Sequence, residues 1–273
     1  MTPDLVRIET QDHVTTLTFN QPARLNGWTA PMLQAVMDAL THVNTDPDTK
    51  AVVLTGTGKY YSAGVNLGGT LKLAHPKTLH AFIVEHNQAI FDAFLDLDKP
   101  IIVAVNGPAI GAPVTSATLC DAIFASEVAT FSTPFARLGI TPEGCSSVHL
   151  PRLMGDAGAQ RMLGPEGWRP TAAEALSVGL VDRVVPADDL LSEAQAQARQ
   201  WATEGQSRTF RGGSTRAELK AVNARESIEL ADAFLSAPFL RGQMSFLRAK
   251  KKWGPAAMFA GLWLSSPLWR RML

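Results

Sequence analysis

Glu143 stands between Pro142 and Gly144 in residues 131–150 (FSTPFARLGITPEGCSSVHL), a mostly apolar stretch with no other carboxylate. Burial of such an acid disfavours its charged form and raises its proton affinity towards neutral pH, which suits a group that takes up and returns a proton. Two glycine-bearing turns precede it, residues 62–67 (SAGVNL) and 106–113 (NGPAIGAP). In the second, Asn106-Gly107-Pro108 forces a tight turn and Gly111 lets backbone pass close to a ligand. Pro113 suits the first turn of a helix, so the Ala112 N–H lies at a helix start with no intrahelical partner, and such a donor can hold a developing oxyanion with help from the helix dipole. The first turn offers the Val65 N–H as the matching donor, and Lys59 just before it offers a point charge for a phosphate. Each feature alone has an ordinary alternative: a strand–turn–helix connection, a solvated surface loop, an acid at the start of a helix. Glu143 is expected to open such a helix, where the dipole favours its ionised form and an apolar pocket opposes it.

Other chemistry has less support. Residues 56–59 (GTGK) lack the spacing of a phosphate-binding loop, and Tyr60 stands where Ser or Thr is needed. Cys145 is a possible nucleophile, but no histidine sits in a pairing motif with it, and free cysteines are mostly small buried hydrophobes. His13, His42, His75, His80, His86 and His149 form no HxH or HxxxH pair, so no metal site is expected.

Positioning these residues needs a sizeable core, and 273 residues suffice for one large domain or a domain with a helical appendage. Residues 6–9 and 14–19 alternate about a polar turn at 11–13 and read as a β-hairpin. Thr29 predicts the cap of a helix over 31–43, and residues 51–55 a buried strand leading into a loop over 56–69. Apolar residues at helical spacing predict a helix over 79–97, followed by strands at 101–105, 122–125 and 181–185. Strands alternating with helices imply a largely parallel sheet. A polar-faced helix is expected over 187–201, then two helices over 214–252 broken near Pro238, packed on a partner subunit or as a separate layer. The apolar tail 253–273 has no assignment.

Lys+Arg and Asp+Glu both number 25, and this zero net charge argues against a bulk nucleic-acid binder. Cys120 and Cys145 give no disulfide framework, which suggests a reducing compartment. No secretory signal or membrane span is expected, and the final Arg-Met-Leu departs from the Ser-Lys-Leu peroxisomal address. The expected compartment is the cytoplasm, with peroxisome and mitochondrion left open.

The three signals in this order are more specific together than singly. Residues 50–56 (KAVVLTG), 60–67 (YYSAGVNL), 106–121 (NGPAIGAPVTSATLCD) and 131–147 (FSTPFARLGITPEGCSS) anchor a resemblance over roughly 5–250 to the crotonase (enoyl-CoA hydratase/isomerase) superfamily, most of all to its peroxisomal-type Δ3,Δ2-enoyl-CoA isomerases. The resemblance implies an α/β spiral of ββα turns over 1–204 and a helical region over 205–273 that builds a trimer or a dimer of trimers. It makes Glu143 the catalytic acid and the backbone of Val65 and Ala112 the oxyanion hole. It lays coenzyme A along Lys59, Ser62, Ala63, Gly64, Asn66 and Leu67, with Gly111 close by; the acyl-CoA thioester is substrate, and no cofactor is implied. Two positions that carry glutamates in hydratases are Thr115 and Phe135 here, expected on the pocket, so hydration is not implied. Asn66 replaces a usual aspartate. Two rivals stand beside this: an acyl-CoA hydrolase or dehalogenase-like enzyme, since dehalogenase relatives carry a nucleophilic aspartate at the position of Glu143, and a non-catalytic RNA-binding scaffold.

Overall fold

The computed structural model describes residues 4–65 and 74–269. Strands β1 (Val6–Gln11) and β2 (Val14–Phe19) pair antiparallel. Asp12 and His13 between them both take positive φ, 51° and 65°, the backbone of a two-residue hairpin turn whose twist matches the strands. Thr29 caps the helix Ala30–Thr45, its hydroxyl accepting the Met32 N–H, with Pro31 in the tolerant first turn. That helix returns the chain to β3 (Ala51–Gly56), parallel to β2, and the helix Pro76–Leu95 returns it to β4 (Ile101–Val105).

The sheet continues through β6 (Ala122–Ser126) to β8 (Arg183–Val185), in the order β1-β2-β3-β4-β6-β8, parallel from β2 onward. Two short strands, β5 (Ala109–Ile110) and β7 (Phe131–Ser132), form a separate parallel pair. They escape periodicity because two residues carry no pattern. β3 and β4 are covered on both faces, which is why both are continuous apolar runs. Val52 and Leu54 enter the main core with the helices Ala30–Thr45 and Pro76–Leu95. Ala51 and Val53 face the other way, onto Leu190, Ala194 and Ala198 of the helix Leu190–Glu204.

Beyond the sheet, the buried pair Arg208–Asp121 (2.7 Å) ties the following chain to the core, and Asp121 also accepts the backbone N–H groups of Ile101 and Thr209. The helix Arg216–Phe234 lies along Pro76–Leu95, held by Asn223 to the Gln88 carbonyl and Asp92 and by Asn87 to Ser227. Ala237–Ala249 follows after the break expected near Pro238. The tail that sequence left unassigned is a helix, Trp253–Trp269, packed through Phe259 on Phe239, whose ring in turn stacks on Phe234. Among the described residues no helix is long and apolar enough to cross a membrane.

Candidate active site

The two glycine turns are stitched directly to each other. Ser62 N–H donates to the Pro108 carbonyl and Ile110 N–H to the Ser62 carbonyl, and the Ile110 carbonyl lies where a side chain on Gly64 would be, 2.6 Å from its Cβ. Only glycine fits there, also because Gly64 has φ +86°. The Gly64 carbonyl accepts the Trp28 N–H (2.8 Å) in a parallel bridge between Trp28 and Val65 that leaves the Val65 N–H out of the pairing. Gly111, at φ +70°, precedes the helix Ala112–Thr118 and donates to the Ser132 carbonyl. Among the described residues, neither the Val65 nor the Ala112 N–H has an acceptor.

Both donors border a cavity of about 180 Å³. Trp28, Ala63 and Gly64 form one side and Ile83 and Ile90 another; Phe135, Leu138 and Ile140 close it with Leu230 and Phe234 from the helix Arg216–Phe234. Glu143 is the one carboxylate on these walls among the described residues, and the residue is 7% exposed. Its proton affinity is pushed up to about 8, first by burial and then by the charge of Glu226. Glu226 is itself fully buried and raised by burial, while hydrogen bonds from Ser147 pull it down.

Glu143 does not open a helix. The helix begins at Ser146, after Gly144 (φ +67°) and Cys145 (φ +66°) have turned the chain in the left-handed region. The turn is forced because a Cβ on Gly144 would collide with the Phe91 ring and stand 2.6 Å from Thr115 Oγ1. Ser146 then fastens it by donating its hydroxyl to the Glu143 carbonyl (2.7 Å).

Other expected site residues lie differently. Ala63, Gly64, Val65, Gly111, Ala112 and Phe135 are on the cavity wall. Thr115 is not: it is fully buried against Gly144 and donates its hydroxyl to the Ala112 carbonyl (3.2 Å). Ser62 also sits behind the wall, donating to the Asn26 carbonyl and accepting the Gly64 N–H. Lys59 is exposed and off the wall, and Asn66 and Leu67 lie outside the described residues. Cys145 faces the Leu219 carbonyl (3.1 Å), away from the cavity, and burial pushes its thiol far above the usual range. Among the described residues no three His, Cys, Asp or Glu side chains converge as a metal-ligand set.

Sequence reasoning missed Asn26, Asn87 and Glu226. Asn26 clamps the chain leading into the first turn by donating to the Thr57 and Tyr60 carbonyls, 2.9 Å each, and its carbonyl accepts the Ser62 hydroxyl. Asn87 is the amide on the wall. None of the three stands in a motif, and only the Asn26-Gly27 step signalled a turn.

A mainly parallel sheet whose strand ends present two glycine turns, with a helical C-terminal part, is the crotonase fold. The family model described as enoyl-CoA hydratase/isomerase matches residues 9–236, and the chain belongs to that family. Among known proteins it is 35% identical to "Enoyl-CoA delta isomerase 2" of Rattus norvegicus over 90% of this chain, a match that spans 64% of the rat protein. It is 32% identical to "Enoyl-CoA delta isomerase 3, peroxisomal" of Mus musculus, over 90% of this chain and 79% of that one. The crystal structure of an enoyl-CoA hydratase/isomerase from Pseudoalteromonas atlantica T6c superposes with a TM-score of 0.76 at 31% identity, covering 90% of this chain and 97% of that one.

Proposed function

We propose that the chain is a Δ3,Δ2-enoyl-CoA isomerase in fatty-acid degradation. The observation that carries this is that, among the described residues, Glu143 is the one carboxyl on a mostly apolar wall, which also bears His86 and Asn87 and is bordered by two backbone N–H groups without an acceptor. A 3-enoyl-CoA binds with its thioester oxygen between the N–H groups of Val65 and Ala112. Ionised Glu143 takes a proton from the carbon α to the thioester, and the electron pair of that C–H bond moves into the carbonyl as a dienolate. The two N–H groups hold the resulting oxyanion, an effect worth about two to three decades of rate per donor. Neutral Glu143 then gives the proton to the γ carbon, and the double bond shifts into conjugation. One acid suffices because the proton leaves and returns on one face. The scheme calls on no metal, flavin or nicotinamide.

Hydration needs a base for water and an acid to complete the addition; buried Thr115, with its hydroxyl already donated, and Phe135 supply neither. The coenzyme A moiety is proposed to leave past Ala63–Val65. The C-terminal helices are proposed to build a trimer or a dimer of trimers. Two free, buried cysteines suit a reducing compartment; the cytoplasm is proposed, with the peroxisome raised by the name of the mouse relative. The test is a spectroscopic screen of 3-enoyl-, 2-enoyl- and saturated acyl-CoAs. Conjugated thioester should form only from the 3-enoyl series, and Glu143→Gln should lower that rate by about two to four decades while acyl-CoA binding survives. Efficient formation of 3-hydroxyacyl-CoA from crotonyl-CoA, or a Glu143→Gln variant of undiminished turnover, overturns the assignment.

A further inference from the structure

A second carboxyl lies against the turn that carries Glu143. Glu226, on the helix Arg216–Phe234, is 0% exposed, and its Oε1 accepts both the Ser147 N–H (2.9 Å) and the Ser147 hydroxyl (2.6 Å). Its Oε2 is buried with no hydrogen-bond partner among the described residues. Ser147 is the second residue of the helix Ser146–Leu163, and Cys145 before it offers that helix no side-chain cap. A carboxylate 79 residues further along the chain therefore does the capping. The same helix Arg216–Phe234 also receives the Cys145 thiol on its Leu219 carbonyl (3.1 Å). The arc from Glu143 to Ser147 is thus fastened at two points to one distant helix.

The titratable groups packed around Glu226 are largely acids, with Arg225 the cation that acts on it. Glu143 and Cys145 face it from the turn, and Asp92 stands nearby on Pro76–Leu95, bound by Asn223 (2.9 Å). On its own helix, Arg225 reaches Ser147 Oγ (3.3 Å) but is half exposed and turned to Glu229 (3.6 Å). Among the described residues no cation lies within ion-pair distance of Glu226. Two buried carboxyls without a cation between them do not both ionise readily. The one with two donors, Glu226, keeps the charge, and Glu143 keeps the proton.

We propose that Glu226 is a positioning residue of the isomerase site: it holds the turn bearing Glu143 in place through Ser147, and its charge strengthens Glu143 as a base. The proposal rests on Glu143 being that base. A weakly acidic α carbon needs a carboxylate more basic than an exposed one, and a neighbouring negative charge supplies this. Glu226→Gln keeps an acceptor for Ser147 and removes the charge; Glu226→Ala removes both. In Glu226→Gln the rising limb of kcat/KM against pH should move about one pH unit towards acid, and the plateau kcat should fall about threefold through the weaker base. In Glu226→Ala the plateau kcat should fall a further tenfold or so with KM little changed, since misplacing a reacting group raises the barrier rather than weakening binding. A merely structural cap would lower Tm in both and leave the limb where it is. A limb in Glu226→Gln that coincides with the wild type overturns the proposal. So does a Glu226→Ala variant with the wild-type plateau. Should Glu226→Gln fail to fold, Glu226→Asp keeps the charge but cannot reach Ser147; its limb should stay while kcat falls, and a moved limb with unchanged kcat overturns the proposal. The ¹³C NMR titration of the Glu143 carboxyl, identified by its loss in Glu143→Gln, separates the two layers. If that carboxyl titrates lower in Glu226→Gln while Glu143→Gln remains active, the coupling stands and the assignment of the base fails. If Glu143→Gln is inactive and the titration does not move, the base stands and the role of Glu226 fails.

Discussion

Lowering the pH from 9 to 6 should switch the proposed isomerase activity off through one group. Glu143 is pushed from the ordinary carboxylate range near 4.5 up to about 8, first because burial disfavours its charge and then because the neighbouring Glu226 carboxyl does. In the proposed mechanism only the ionised form can start the reaction. With a midpoint near 8, about half the molecules are competent at pH 8, about a tenth at pH 7 and about a hundredth at pH 6. The value of kcat/KM should therefore fall roughly tenfold per pH unit below 7 and level off above 9. A solvated carboxylate would give a flat profile over the same range. The assay is the initial rate of conjugated-thioester absorbance from a 3-enoyl-CoA, at constant ionic strength, with subsaturating substrate for the free enzyme. His86, also on the cavity wall, is separated by His86→Gln, which should leave the limb in place. A wild-type midpoint below pH 6 would refute the claim that this wall tunes Glu143 as a base.

Two further perturbations test the supports of the site. Gly144→Ala places a methyl group into the Phe91 ring and Thr115 Oγ1 at a backbone φ of +67°, so strain and overpacking, about 1–3 kcal/mol each, should lower Tm and swing Glu143 off its wall; unchanged Tm and kcat would show the turn to be slack. His149 is fully buried, its Nε2 facing the Thr118 carbonyl (2.9 Å), and burial depresses it from 6.5 to about 4, so its neutral form favours the fold at neutral pH. That contribution is complete above pH 6.5 and is lost as the pH falls towards 4, on the order of 3 kcal/mol. The stability difference between wild type and His149→Gln should shrink across that window, measured by urea unfolding at each pH, whereas a constant difference would mean that His149 protonates freely in the folded state.

Much of the frame was legible in the sequence because the informative elements are long or chemically marked. The buried strands at 101–105 and 51–55 show as unbroken apolar runs, and the parallel sheet follows from their alternation with helices. The two glycine turns were legible because left-handed or crowded backbone at Gly64 and Gly111 leaves a residue-type signature. Glu143 stood out against an apolar background, yet its helix was placed three residues early. Left-handed Cys145 ends the turn, and nothing about a cysteine announces positive φ. Thr115 looked like a wall residue by its position in the resemblance; the fold buries it against Gly144, off the cavity wall. Asn26, Asn87 and Glu226 were illegible for one shared reason. Their partners lie 31 to 140 residues away, and no local pattern encodes such a distance.

As the proposed base, Glu143 owes its character to chain that no motif contains. A carboxyl in water would stay ionised at neutral pH and would be a poor acceptor for a carbon-bound proton. The segment 131–150 supplies the acid and much of its apolar surroundings, but Leu230 and Phe234 close the cavity, and Glu226 brings the neighbouring charge, all from the helix Arg216–Phe234. That helix is held to Pro76–Leu95 by Asn87–Ser227, Asn223–Asp92 and the Asn223 bond to the Gln88 carbonyl. Loosening it would admit water to Glu143 and move Glu226 away, and both effects lower the proton affinity of the base. Chemistry and packing are therefore coupled with a definite sign: any change that frees the helix should shift the rising limb of the pH profile towards acid before it abolishes acyl-CoA binding, because the Val65 and Ala112 donors sit on the sheet side and keep their own supports in Trp28 and Ser132.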